Sequence, residues 1–408
     1  MTRAGTRRPR VPDPYGLLPD RSLLAPGLSA AGLAIVGVLT LNLLGGSIPF
    51  VTGSGGGGGG GASRTAAPSN VVNVPPVTFP GSIVYAKAGN IWVQHGQDVH
   101  QLTSGGHDSM PSWSPDGTAV YFIRTTDAQG LWPAQGVDRH YDEAVPAIMR
   151  VDANGAGEPE TILTGTVQKG TRSWFSWIRQ PVLSPDGQTV AMVSDGPDPT
   201  NSDVVLQLYD LQTKKRTVPA APESVPFGHQ DPAWRADGRY LLYVRNGRDA
   251  ARGAPQIFRW DVANQKATQI TGPGYLEPSY SPDGAYIAAT RTSNFGNDVV
   301  ILDAAHGREL LRVTSDGGSW APVWSPAGDA IAFLHIEGQV VDLKLARLGR
   351  SGPDWTATDT IDLTQVSGLD GGSRPSWYVP PAELPATPPP SLAPSASPSV
   401  AGDVGAAP

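Results

Sequence analysis

The sequence predicts an all-β fold: a six-bladed β-propeller closed by pairing of its N- and C-terminal strands, preceded by one transmembrane helix. Three observations predict it. A phrase built on Pro-x-aromatic-Ser-Pro-Asp-Gly recurs six times in 408 residues. Short β-prone runs fill the intervals between copies. An apolar run without charge precedes the whole array.

The copies read PSWSPDG from Pro111, PVLSPDG from Pro181, PAWRADG from Pro232, PSYSPDG from Pro278, PVWSPAG from Pro322 and PSWYVPP from Pro375. Their spacings are 70, 51, 46, 44 and 53 residues, a period that belongs to repeat architectures. Ser-Pro-Asp-Gly is hairpin chemistry. Pro presets φ, Asp tolerates the next turn position, and Gly takes the left-handed conformation that closes the turn. Trp113, Trp234, Trp324 and Trp377 occupy one repeated position, which suits packing between neighbouring sheets.

A second strand follows each turn, as in AVYFI from Ala119 and YLLYV from Tyr240. A third follows, as in VLQLYD from Val205, and a shorter fourth, as in TQITG from Thr268. Four antiparallel strands per repeat make a propeller blade. The sixth phrase has no second strand after it, while GSIVYA, NIWVQ and HQLTS precede the first phrase without an inner strand. These pieces predict one blade shared by the two ends of the array, which removes two exposed sheet edges.

The phrases PSWSPDG, LSPDG, PSYSPDG and VWSPAG resemble the TolB-like β-propeller repeat family over residues 79–380. The resemblance implies six blades. The same repeat occurs in periplasmic and surface scaffolds, in the propellers of prolyl-oligopeptidase-type peptidases and in some pectin-fragment lyases. It is specific for fold and weak for function. The small α/β domain that precedes the propeller in TolB itself is not expected here.

Five segments follow from this reading: a cytoplasmic basic segment (1–22), a signal-anchor helix (23–45), a Gly-rich linker (46–78), the propeller (79–380) and a Pro/Ala/Ser-rich tail (381–408). The apolar run has the length of a bilayer span. Arg3, Arg7, Arg8, Arg10 and Arg21 precede it, so residues 1–21 carry +3 against a chain total of −7. The positive-inside rule then places the N-terminus in the cytoplasm and the propeller outside; a cleaved signal peptide is the alternative. The acidic remainder argues against nucleic acid as a partner. With no cysteine, disulfides, thiol catalysis and Cys-based zinc sites are excluded.

Ligands of propellers usually meet the channel mouth on the face opposite the Ser-Pro-Asp-Gly turns. The residues before each repeated Pro are therefore the candidate binding set: His107, Asp108 and Ser109; Trp177, Arg179 and Gln180; His229, Gln230 and Asp231; Tyr275 and Glu277; Ser319 and Trp320; Ser373 and Arg374. The plain alternative is exposed polar loops. The long first interval adds two insertions, 125–146 and 165–180, expected beside each other on that face. They carry Trp132, His140, Tyr141, Arg172, Trp174 and Phe175, either a contact patch or aromatics that bury one another.

No G-x-S-x-G elbow or P-loop ending is present. The expected role is a monomeric, membrane-anchored scaffold for an envelope protein or glycan, with no cofactor. The alternative is a metal-dependent polysaccharide lyase or hydrolase, with His107 and His229 as weak candidate ligands.

Overall fold

The computed structural model describes residues 65–134, 137–195, 204–219, 228–246, 255–351 and 354–384. The predicted basic segment, the 23–45 span and the tail beyond Leu384 lie outside the described residues. Among the described residues no helix is long and apolar enough to cross a membrane.

The described chain is a ring of antiparallel sheets, each giving its first strand to the central axis. These inner strands are Asp108–Trp113, Ile178–Leu183, His229–Trp234, Tyr275–Tyr280, Ser319–Trp324 and Ser376–Tyr378. The second strands are apolar on both faces because each sheet is covered on both sides. Val190–Val193, Leu241–Val244 and Ile331–Leu334 are accordingly buried throughout. Hydrophobic clusters fill the gaps between adjacent sheets. One joins Ile83, Tyr85 and Trp377 to Leu334, Leu343 and Leu345 across the seam of the ring.

The predicted closure is present. Ser376–Tyr378 pairs with Ser82–Lys87 in the register Ile83↔Trp377, completing the sheet of Asn90–His95 and Asp98–Gln101. Trp377 Nε1 donates to Pro80 O at 2.9 Å, and the Gly81 N–H donates to Glu383 Oε2 at 2.9 Å.

The expected count of six blades is not borne out: five blades are present. Five sheets are regular four-stranded blades, and the remaining sector is a six-stranded sheet. The excess residues of the first interval cause this. They lengthen the second and third strands to Ala119–Ala134 and Val137–Asp152, which pair along their full length as a ribbon. A hairpin of Thr166–Lys169 and Arg172–Phe175 joins the ribbon edge through Leu131↔Ser173. The two insertions thus do lie side by side.

The turns follow their predicted chemistry. Ser114 Oγ donates to Asp116 Oδ1 at 2.6 Å, the Thr118 N–H donates to the same oxygen, and Gly117 sits at φ 68°. A second repeated device is a buried threonine after the fourth strand of four sheets. Thr103, Thr271, Thr314 and Thr364 each accept, on Oγ1, an N–H of the third strand of the same sheet.

Candidate functional site

The residue before each repeated Pro is the constructive unit of the axis. Pro has no N–H for the ladder, so the inner strand must bulge there. Pairing registers shift at this point, for example between Gln230 and Ala233 and between Leu276 and Ser279. Met110, Gln180, Asp231, Glu277 and Ala321 take φ 53–54°. A left-handed non-Gly residue costs about 1–2 kcal/mol, so the surroundings must hold each one.

They are held by one another. The Gln180 N–H donates to Met110 Sδ at 3.4 Å, and the Asp231 N–H to Gln180 Oε1 at 2.8 Å. The Glu277 N–H donates to Asp231 Oδ2 at 3.1 Å, and the Ala321 N–H to Glu277 Oε2 at 2.8 Å. The Met110 N–H donates to Ser373 Oγ at 2.6 Å. Each sheet's side chain therefore accepts the backbone N–H of the next sheet, forming a belt round the axis. Ala321 has no side-chain acceptor to pass on. There Arg374 bridges instead, donating from Nη2 to Pro278 O and to Pro322 O at 3.2 Å.

The belt is electrically dense. Burial raises the Asp231 carboxyl, against the pull of Arg374 and Arg179. Burial, and then the Asp231 charge, raise Glu277, while Thr290 Oγ1 donates to its Oε2 at 2.6 Å. Burial lowers Arg374 and Arg179. Two carboxyls and two guanidiniums thus share one desolvated axis, the setting in which proton affinities shift most.

The belt crosses the inner strands midway. On its turn side the channel opens into a cavity of about 610 Å³. Its floor is Gln180, Asp231, Glu277 and Arg374, and its walls include Trp113, Trp234, Tyr280, Trp324 and Tyr378. Pro115, Pro185, Pro282 and Pro326 of the turns form its rim. A concavity lined by these groups thus lies on the turn side of the belt.

The other candidates fall elsewhere. Asp108 is buried in a bidentate pair with Arg124, at 2.7 and 2.8 Å, within its own sheet. His229 is buried, its Nδ1 accepts the Leu206 N–H at 3.0 Å, and its ring lies 4.8 Å from that of Tyr243. Burial pushes its pKa down to about 4. His107 is exposed. Among the described residues no group of three or more His, Asp or Glu is arranged to hold a metal ion. Tyr275 donates its OH to Glu309 at 3.3 Å, and Trp320 donates Nε1 to Gly371 O at 2.9 Å. Both serve local structure. The Trp177 N–H donates to Asp195 Oδ2 at 2.9 Å.

In the insertions, Trp174 and Phe175 are buried, so these two rings hold the hairpin in place. His140 and Arg172 are exposed. The backbones of Trp132 and Tyr141 lie in the ribbon, opposite Arg139 and Gly130. The sequence reading missed Met110 and Ala321, although their place before a repeated Pro is the signal that marks them. It also missed Phe295, at the tip of the hairpin between Tyr286–Ser293 and Gly296–Asp303 and 92% exposed.

Fold and axis define an all-β propeller with a hydrogen-bonded belt round its channel. The comparisons agree. The chain is 28% identical over 136 residues to a TolB homologue of Chlorobium chlorochromatii, covering 33% of this chain and 30% of that protein. It is 26% identical over 144 residues to the uncharacterised protein Atu1656 of Agrobacterium fabrum, covering 34% and 45%. The matches thus span less than half of these curated relatives. Among solved structures it is similar to TolB from Acinetobacter baumannii, with a TM-score of 0.51, 20% identity and coverage of 73% and 66%. It is also similar to a chain of a nidogen/laminin complex, with a TM-score of 0.50, 12% identity and coverage of 73% and 98%. No family model matches. The described chain is a TolB-like β-propeller.

Proposed function

We propose that the protein is a membrane-tethered, extracytoplasmic propeller that acts as a scaffold for a cell-envelope protein. The observation that carries this reading is the ribbon. Among the described residues its sheet is the one that departs from four-stranded regularity, and loops that depart from a repeat are where repeat folds place function. As a connection from a second to a third strand, the ribbon extends from the face opposite the Ser-Pro-Asp-Gly turns.

Phe295 supports the same face. Its hairpin is also a second-to-third-strand connection, three sheets round the ring from the ribbon. The hairpin is braced from below: the Asn297 N–H donates to Gly317 O at 2.9 Å, and the Gly317 N–H to Asp298 Oδ1 at 3.1 Å. A Cβ at Gly296 would collide with the Gly317 carbonyl, so only glycine permits this approach. A rigidly presented aromatic ring is the usual anchor of a protein interface. The similar chain in a nidogen/laminin complex is consistent with a protein partner. The enzymatic alternative is not favoured, because His229 already commits Nδ1 to the backbone.

The test is affinity purification of the tagged full-length chain from native membranes, beside Phe295→Ala and Arg172→Ala variants. A protein that co-purifies with the parent and is depleted from both variants is the expected result. A partner retained equally by all three moves the interface off this face.

A further inference from the structure

The axial cavity on the turn side plays no part in the scaffold role, which uses the opposite face. Its volume, about 610 Å³, is that of a small-molecule site. Its walls and its floor differ in chemistry. Trp113, Trp234, Trp324 and Tyr280 line the walls, yet the Nε1 atoms of the three indoles and the Tyr280 hydroxyl are buried from solvent. Each of these rings therefore turns carbon, and no hydrogen-bonding group, towards the space.

The floor carries charge. Among the described residues, the charged side chains that line the cavity are Asp231, Glu277 and Arg374, two carboxyls against one guanidinium. Arg374 and Arg179 both favour the ionised form of Asp231, and Arg179 does so from outside the lining. Glu277 is served less well. The Asp231 charge opposes its ionisation more strongly than Arg374 favours it.

We propose that this cavity binds an organic cation with an alkylated ammonium head, held between the aromatic walls and the Glu277 carboxylate. A methylated ammonium spreads its charge over C–H groups, so it asks no acceptor of the walls and is attracted to their rings. A primary ammonium would leave N–H donors unmet against ring carbon. An anion would meet two carboxyls, and a neutral molecule would leave Glu277 without a counter-charge.

The site carries a pH signature. Burial, and then the Asp231 charge, raise Glu277 to about 7; Arg374 and the Thr290 hydroxyl act on it in the opposite sense. A bound cation favours the ionised carboxyl. Affinity should therefore fall, by up to about tenfold, between about pH 8 and about pH 6 as Glu277 takes up its proton.

The test is calorimetric titration of the purified full-length protein with choline and with dimethylbutanol, the uncharged carbon isostere of choline. Saturable choline binding, at least tenfold tighter than the isostere, is expected. Ala236 is exposed and lines the cavity, so a charge placed there acts on the ligand without entering the core. Ala236→Glu should bind choline at least fivefold more tightly than Ala236→Arg. Glu277→Gln should weaken choline, spare the isostere and abolish the pH dependence. The Ala236 pair decides the matter even if Glu277→Gln fails to fold. Choline that binds no better than its isostere, equal affinities in the two Ala236 variants, or a pH dependence that survives Glu277→Gln overturns the proposal. Partner capture on the opposite face is scored separately, so either reading can fail without the other.

Discussion

Asp231 Oδ2 accepts the backbone N–H of Glu277 at 3.1 Å, so a carboxylate of one sheet fixes the left-handed turn of the next. The ring is therefore held at its axis by side chain-to-backbone bonds between sheets, in addition to the apolar clusters between their faces.

Removing that acceptor should loosen the whole ring. Asp231→Ala leaves the Glu277 N–H and the Gln180 side-chain amide without the buried acceptor they share, at a cost of about 1–3 kcal/mol. A lower urea midpoint with an unchanged slope is the expected result. A midpoint equal to that of the parent would mean the belt bonds add nothing.

His229 makes stability depend on acid. Its folded pKa, about 4, lies below the ordinary 6.5, so the unfolded chain binds the proton more readily. The contribution is fully present above about pH 6.5. It is lost progressively as pH falls towards 4. His229→Gln should flatten the urea midpoint against pH between 6.5 and 4, relative to the parent. Identical slopes would count against a neutral buried imidazole.

Glu143 works in the opposite sense. Its carboxyl is buried, Oε1 has no hydrogen-bond partner among the described residues, and burial pushes its pKa from 4.5 up to about 7. The protonated form is favoured in the folded state, so stability is greatest below about pH 4.5 and declines as pH rises through 7. Glu143→Gln should raise the Tm at pH 8 and leave it nearly unchanged at pH 4. Thermal melts at the two pH values decide this.

Phe295 and Trp174 should separate surface from support. Phe295→Ala, at an exposed tip, should leave stability within about 0.5 kcal/mol. Trp174→Ala empties a buried site and should cost about 3–5 kcal/mol. The loss should appear as faster hydrogen exchange in Arg172–Phe175 and in the outer half of Ala119–Ala134. Unchanged exchange would show that the hairpin does not depend on this ring.

The strands and closure were legible because they rest on local chemistry. Ser-Pro-Asp-Gly specifies its own turn, and a lone inner strand at Pro375 can only pair with the unaccompanied run at Gly81. The ribbon was half legible. Extra residues between Thr125 and Pro146 were visible, but one-residue pairing of Leu131 with Ser173 carries no sequence signature. The axis was legible by position and not by orientation. Asp231 and Arg374 stood out as charges before a repeated Pro, yet the belt depends on backbone N–H groups turned inward by φ near +54°. Asp108 and His229 occupy similar places in the phrase, but face Arg124 and the Leu206 N–H instead.

The seam between Ser376–Tyr378 and Ser82–Lys87 joins residues nearly 300 positions apart. During synthesis, the strand at Ser82 therefore waits with an open edge until the last inner strand has left the ribosome. An unpaired edge is a template for wrong pairing. Maturation of this protein is thus a race between one late intramolecular handshake and intermolecular strand exchange. Anything that stalls translation near Pro375 would leave an almost complete but unlocked ring.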